Sequence, residues 1–499
     1  MYNQQNSMED VSDSRELSDD AAELIFLIDT QLSRIDKFLE LTPRTIAIQP
    51  ETLLIAQKQL SEPRQEYLRC KHTLSTAITH ETIHQTRRVV RTLQGVVSAA
   101  LVSVDWQAPS YEYTNFSQAG TQIGKIEGTI NDYKRDRNLD AAQYEQLFYH
   151  NNIDTGFRIP TAIFATSSGM SAFTTILTAL QLDKFIDGPV LAGKSCYFEC
   201  RQILQNFFPD TLYFVDETSV DNILDAVREL QPAVIFLDTL CNTASITVPN
   251  MREIIKRLVA EIKRPTTLVL DNTGLGIFYQ PFKDLPLFTS KLLIITFESL
   301  AKYHQFGMDR VTGGIIWTKG LPPLRLHEWR MHLGTNISDI AAVTLPSPNR
   351  TLLRARMLRH GRNALFLAKK IDEYIKTSAK TPFTHVEYPG LAHHSSYAWT
   401  QANEFNGSYF TIICKPELYC PEVYKKFISH AIDLGKKAGI DLIAGTSFGF
   451  NTTRLYLTAL NATGITQPFL RISAGTETIS EVRKIADVLI AAINKTPAL

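Results

Sequence analysis

The chain has 499 residues, 44% of them hydrophobic, and its 51 Lys+Arg balance 51 Asp+Glu. A formal charge of zero excludes the broad basic face that nucleic acid or an anionic membrane demands, and no apolar run approaches the ~20 residues that span a bilayer. The length suits roughly three domains of about 150 residues, and the six cysteines (70, 196, 200, 241, 414 and 420) lack paired metal-ligand spacing, so reduced thiols, a cytoplasmic setting and no metal are expected.

Residues 1–20, MYNQQNSMEDVSDSRELSDD, are polar and acidic and read as a disordered tail without the apolar run of a secretory signal. A helical extension is expected over 21–109. AAELIFLIDTQLSRIDKFLEL has apolar residues at helical spacing and stops at Pro43. A second helix is expected over 51–60, stopped near Pro63, and a third from about residue 65, with a break around 78–80 before HETIHQTRRVVRTLQGVVSAALVSV. These helices hold no catalytic constellation, so their expected role is packing, on the main body or on a partner subunit.

From about residue 110 short apolar runs alternate with helical patterns: TAIFAT, PVLAG, LYFVD, AVIFLD, TTLVLD and LLIITF. Near-continuous apolar strands separated by helices predict an α/β fold with a mostly parallel sheet covered on both faces. A large domain over 110–349 and a smaller α/β domain over 350–499 are expected, joined by a long helix at 350–371 and ending in a helix at 479–494.

Ligands in such sheets bind beyond the carboxyl ends of the strands. After TAIFAT come Ser168, Gly169 and Met170, small residues opening a helix whose free N–H groups can hold a phosphate. Tyr197 follows PVLAG, and its ring can stack on a flat cofactor. Asn242 follows AVIFLD, and TTLVL ends in Asp271 with Thr273 just beyond. A carboxylate ending a buried strand needs a partner, which a protonated pyridine nitrogen supplies. Ser299 and Lys302 follow LLIITF, and desolvation there makes an amine neutral enough to condense with an aldehyde. Phosphate cradle, aromatic ring, Asn, Asp and Lys in that order describe a pocket for pyridoxal 5'-phosphate (PLP).

These residues resemble the Cys/Met-metabolism PLP-dependent enzymes, the family of cystathionine γ-synthase, cystathionine γ-lyase and methionine γ-lyase. The resemblance covers about 110–490. Tyr133-Lys134-Arg135-Asp136-Arg137-Asn138 with Glu145, SSGMSA (167–172), VLDNT (269–273), ESLAKY (298–303), VEYPGLAHH (386–394), TSFGF (446–450) and LRISAGTE (470–477) match its motifs in order. The resemblance implies the aminotransferase-like fold, fold type I. It also implies that Lys302 carries PLP and moves protons, that Asp271 keeps the pyridine nitrogen protonated and that Tyr197 stacks on the ring. Ser168, Gly169, Met170 and Ser299 would surround the phosphate, with Asn242 near the phenolic oxygen and Thr273 beside Asp271. Arg471, helped by Ser447, would grip the substrate carboxylate with a fork that Lys cannot reproduce. Tyr133 and Arg135 would reach the phosphate of a neighbouring subunit, so a homodimer or homotetramer is expected.

Several positions depart from the family pattern: Ala301 replaces the Thr before the lysine, so one phosphate hydroxyl is lost, Thr243 replaces the Pro after Asn, and Gly274 replaces a Phe and opens space near the ring. HQFGMD (304–309) replaces Gly-Gly-His-Ser-Asp, Phe198 and Glu199 replace two glycines, and Thr452 falls where some members carry Glu. The expected reaction is γ-elimination or γ-replacement on an L-amino acid related to homoserine esters, cystathionine or methionine, through a Schiff base and a vinylglycine-type intermediate. Two alternatives stay open: a β-lyase acting on cysteine-like substrates, and an inactive homologue acting as a scaffold.

Overall fold

The computed structural model describes residues 12–42, 50–103, 138–154, 161–285, 291–319, 325–378, 380–418, 420–458 and 468–496. Tyr133 and Arg135 lie outside the described residues.

The chain opens with helices α1 (Asp13–Leu39), α2 (Pro50–Thr76) and α3 (His80–Val102). The first of these begins inside the segment read as a disordered tail. The Ser12 side chain caps it by accepting from the Arg15 N–H, and Asp13 and Glu16 sit at its positive end. Its early acids are paired out of sequence: Glu16 with Arg359 and Arg362, and Asp20 with Arg87 and Arg359. Local composition cannot display those partners. Pro63 does not stop a helix either, because α2 runs straight through it. A proline inside a helix costs about 3 kcal/mol. Leu53, Ala56, Leu60, Tyr67, Cys70 and Leu74 keep one buried stripe on both sides of it, and burial at roughly 1.5–3 kcal/mol for each large side chain outweighs the defect.

The extension packs on the body of the same chain. Arg91 Nε donates to the Met308 carbonyl at 2.7 Å, Gln94 Nε2 donates to the Thr344 carbonyl, and Arg34 donates to the Val343 carbonyl. The Phe26 and Phe306 rings lie 6.1 Å apart.

Helix α4 (Leu139–Asn152) leads into a seven-stranded sheet made of β1 (Thr161–Thr166), β2 (Val190–Gly193), β3 (Leu212–Val215), β4 (Val234–Asp238), β5 (Thr266–Asp271), β6 (Leu292–Ser299) and β7 (Gly314–Lys319). Its order is β1-β7-β6-β5-β4-β2-β3, and only β7 runs against its neighbours. Helices α5 (Gly169–Leu182), α6 (Phe198–Phe207), α7 (Val220–Leu230) and α8 (Met251–Glu261) alternate with the first five strands. Two apolar clusters, around Phe173–Phe236 on one side and Ile254–Leu268 on the other, cover the sheet, as a parallel sheet requires.

After α9 (Leu326–His332) and α10 (Asp339–Thr344), the long α11 (Arg350–Thr377) carries the chain to a second sheet. Here β8 (Phe383–Glu387), α12 (Tyr397–Thr400), β9 (Tyr409–Cys414), α13 (Cys420–Lys437), β10 (Ile443–Ala444), β11 (Arg454–Thr458), β12 (Phe469–Ser473) and α14 (Ile479–Lys495) give the strand order β10-β11-β12-β9-β8. No helix of the described residues is long and apolar enough to cross a membrane.

Candidate active site beyond the strand ends

A cavity of about 820 Å³ opens beyond the carboxyl ends of the parallel strands and is closed on its far side by the second sheet. Ser168, Gly169, Met170, Tyr197, Asn242, Asp271, Thr273, Ser299, Lys302, Ser447 and Arg471, singled out from sequence, all line it. Tyr133 and Arg135 cannot be placed, since they lie outside the described residues.

The first strand-to-helix turn forms a cradle. Ser168 caps α5 through its hydroxyl, which accepts from the Ser171 N–H at 2.9 Å. Gly169 and Met170 then occupy the first helical positions, where N–H groups have no intrahelical acceptor. A Cβ on Gly169 would stand 2.9 Å from Ser299 Cβ and 3.4 Å from Ser299 Oγ. The closeness of the two turns therefore depends on glycine, and the backbone donors share a small space with the Ser299 hydroxyl.

Asp271 ends β5 and lies directly beside Asp238, which ends β4. Burial raises the Asp271 carboxyl to about 6, while the Thr273 hydroxyl and the Thr273 N–H, at 2.9 Å from Oδ1, favour its charged form. Burial, and then the Asp271 charge, raises the Asp238 carboxyl well above the usual carboxylate range. Its Oδ2 accepts from the Tyr197 N–H at 2.9 Å and fixes the turn carrying that ring. Burial, then the nearby Glu199, pushes the Tyr197 phenol above its ordinary value. The role of Asp238 was missed in the sequence, although AVIFLD and TTLVLD end in the same way.

Lys302 follows β6 and opens the short 3-10 turn Tyr303–Gln305. Its Nζ donates to Ser447 Oγ at 2.7 Å and lies 5.4 Å from the Phe448 ring centroid. Burial lowers the amine to about 8, with the Arg471 charge adding to the effect and Asp271 opposing it. Ser447 reaches the amine from a backbone at φ 73, and Gly449 follows at φ 84. A Cβ on Gly449 would meet the Lys302 backbone carbon at 2.9 Å, so this crossing of two loops requires glycine.

Arg471, on β12, is 4% exposed. Its Nη1 donates to Asn242 Oδ1 at 2.7 Å and its Nη2 to the Ser447 carbonyl at 3.3 Å. Its Nε is buried with no partner among the described residues. Tyr409 and Phe448 hold the guanidinium, with ring centroids 5.5 and 5.9 Å away. Neither aromatic was found from sequence, because each looks like ordinary core.

The donor set fits PLP: a helix N-terminus with a hydroxyl for a phosphate, a strand-end carboxylate for a pyridinium, and an amine near neutrality for an aldehyde. The orphaned Arg471 Nε adds a donor for a carboxylate.

Comparison with known proteins agrees. The chain is similar to cystathionine gamma synthase from Xanthomonas oryzae pv. oryzae at 19% identity and a TM-score of 0.57, covering 79% of this chain and 92% of that one. It is similar to CalE6, a methionine gamma lyase from Micromonospora echinospora, at 19% identity and a TM-score of 0.57, covering 74% and 91%. At these identities the likeness shows the fold, fold type I with a helical region preceding it. Among curated proteins it is 24% identical over 373 residues to the bifunctional enzyme flvA of Aspergillus flavus; the match takes in 73% of this chain but only 42% of that relative's length. The family model of the Cys/Met metabolism PLP-dependent enzymes matches residues 83–491, and the chain belongs to that family.

Proposed function

We propose that the protein catalyses γ-elimination or γ-replacement on an L-amino acid related to homoserine esters, cystathionine or methionine. The observation that carries this reading is the convergence of Lys302, Asp271 and Arg471 on one cavity, with the lysine amine lowered to about 8. Residues 110–349 carry the cofactor in this reading, and residues 350–499 supply Arg471 and Ser447.

Bound PLP supplies an electron sink, its protonated ring accepting the pair released when a substrate Cα–H bond breaks. The chain does the rest. Asp271, kept ionised by Thr273, holds the ring nitrogen protonated. The N–H groups of Gly169 and Met170 and the hydroxyls of Ser168 and Ser299 bind the phosphate. Tyr197 covers one ring face. Arg471 takes the substrate carboxylate through Nε and one Nη, which sets the Cα–H bond toward Lys302. Neutral Lys302 removes that proton as general base, and its hydrogen bond to Ser447 Oγ fixes its direction. Lys302 would hand that proton back to the cofactor-bound substrate and, neutral again, would take one from Cβ, so that the leaving group could depart from Cγ with its bonding pair. In the dimer proposed here, Tyr133 and Arg135 complete the phosphate site of the neighbouring subunit.

The test is turnover by the purified enzyme on paired L-amino acids that differ only in whether the leaving group sits at Cβ or Cγ. Release of ammonia or a replacement product from the γ series supports the proposal. Turnover of the β series alone makes the enzyme a β-lyase, and PLP binding without turnover of either series overturns the catalytic reading.

A further inference from the structure

Glu298, the penultimate residue of β6, is 3% exposed and does not line the cavity, which its neighbours Phe297 and Ser299 do. Its Oε1 accepts from Asn272 Nδ2 at 2.9 Å, and its Oε2 lies 2.8 Å from His304 Nε2. Asn272 directly follows Asp271, and His304 lies two residues beyond Lys302. One buried carboxylate therefore joins the strand end that carries the aspartate to the loop that carries the lysine.

Both partners are themselves held. Asn272 is fully buried, its Oδ1 accepting from Thr239 Oγ1 at 3.0 Å and its Nδ2 also donating to the Gly276 carbonyl at 2.9 Å. The His304 ring packs on Phe148 of α4, centroids 5.6 Å apart. Glu298 also acts electrostatically on Asp271 and on Tyr144 of α4. A carboxylate buried without partners costs several kcal/mol. Glu298 is tolerated because Asn272 and His304 engage both of its oxygens.

We propose that Glu298 and His304 are positioning residues that, through Asn272, hold Asp271 and Lys302 at the spacing one PLP ring requires. The inference rests on the assignment of Lys302 and Asp271 above. Neither residue touches the cavity, so the effect falls on cofactor retention and on the proton transfers of Lys302, while Arg471 and its carboxylate contact stay as they are.

The experiment titrates wild-type, Glu298→Gln, Glu298→Ala and His304→Ala apoproteins with PLP, and measures kcat, KM and apoprotein unfolding on the same samples. Loss of a hydrogen bond to a buried charge predicts about 10-fold or more weaker PLP binding in Glu298→Ala and His304→Ala. Their kcat falls while KM for the amino acid holds. Glu298→Gln, which keeps an acceptor for Asn272 and an amide toward His304, retains most of the wild-type affinity. If Glu298→Ala does not fold, His304→Ala and Glu298→Gln carry the comparison. Wild-type PLP affinity in the Ala variants, or a loss of apoprotein stability with affinity unchanged, overturns the inference. Borohydride reduction of the wild-type holoenzyme separates the two levels: a label absent from Lys302 sinks the site assignment, whereas a label at Lys302 with unaffected Ala variants sinks only the positioning role.

Discussion

In the proposed function, Lys302 and Asp271 set the pH behaviour. The nucleophile toward the cofactor is the neutral amine, whose fraction rises with pH through the lowered value of about 8. Apoenzyme reconstitution with PLP is therefore expected to accelerate from pH 7 to a plateau above 9, measured by stopped-flow absorbance. Asp271, raised to about 6, is protonated below that pH and ceases to be a counter-charge, so PLP affinity is expected to fall on acidification through 6, read by equilibrium dialysis. Lys302→Ala is expected to abolish turnover and the borohydride-trapped product, checked by peptide mapping. For Arg471→Lys the fork is lost while the charge remains, and KM is expected to rise about 10-fold or more with a smaller change in kcat. Steady-state kinetics on the γ series would reveal it.

At the scale of elements, the N-terminal helices brace the lysine loop as well as covering it. Arg356 on α11 donates to Glu23 of α1 at 2.9 Å, to the Gly449 carbonyl at 3.2 Å and to Asn451 Oδ1 at 2.7 Å. The loop it grips carries Ser447. Arg91 of α3 holds the Met308 carbonyl on the other loop, beyond Lys302. Removing one partner of a buried ion pair leaves the other charge unpaired, so Glu23→Ala is expected to destabilise the protein by about 3–5 kcal/mol in urea denaturation. The amphipathic stripes of these helices were legible in the sequence. Their limits at Asp13 and through Pro63 were not, because both depend on partners more than 300 residues away or on packing that overrides local propensity.

The whole molecule makes the site by apposing two sheets. The first presents Asp271 and Lys302 and the second presents Arg471 and Ser447, so in the proposed function cofactor and substrate contacts come from different sheets. In the proposed dimer, a subunit carrying Arg135→Ala and one carrying Lys302→Ala damage different halves of a shared site. Mixing the two after dissociation is expected to restore activity that neither has alone, and homodimer controls without recovery would confirm exchange. No recovery would place Arg135 in its own subunit's site or outside catalysis.

The sequence by itself determined the alternation of strand and helix and the strand-end identities of Ser168, Tyr197, Asp271 and Lys302, because side-chain periodicity and the cost of burying a charge are local properties. It also carried the family likeness, which needs only ordered motifs. Tertiary structure alone decided that Asp238 stands beside Asp271, that Ser447 bonds the lysine amine, that Arg471 Nε has no partner among the described residues, and that Glu298 ties Asn272 to His304. Each of these depends on distances between segments far apart in the chain, and those distances follow from how the sheets and helices pack.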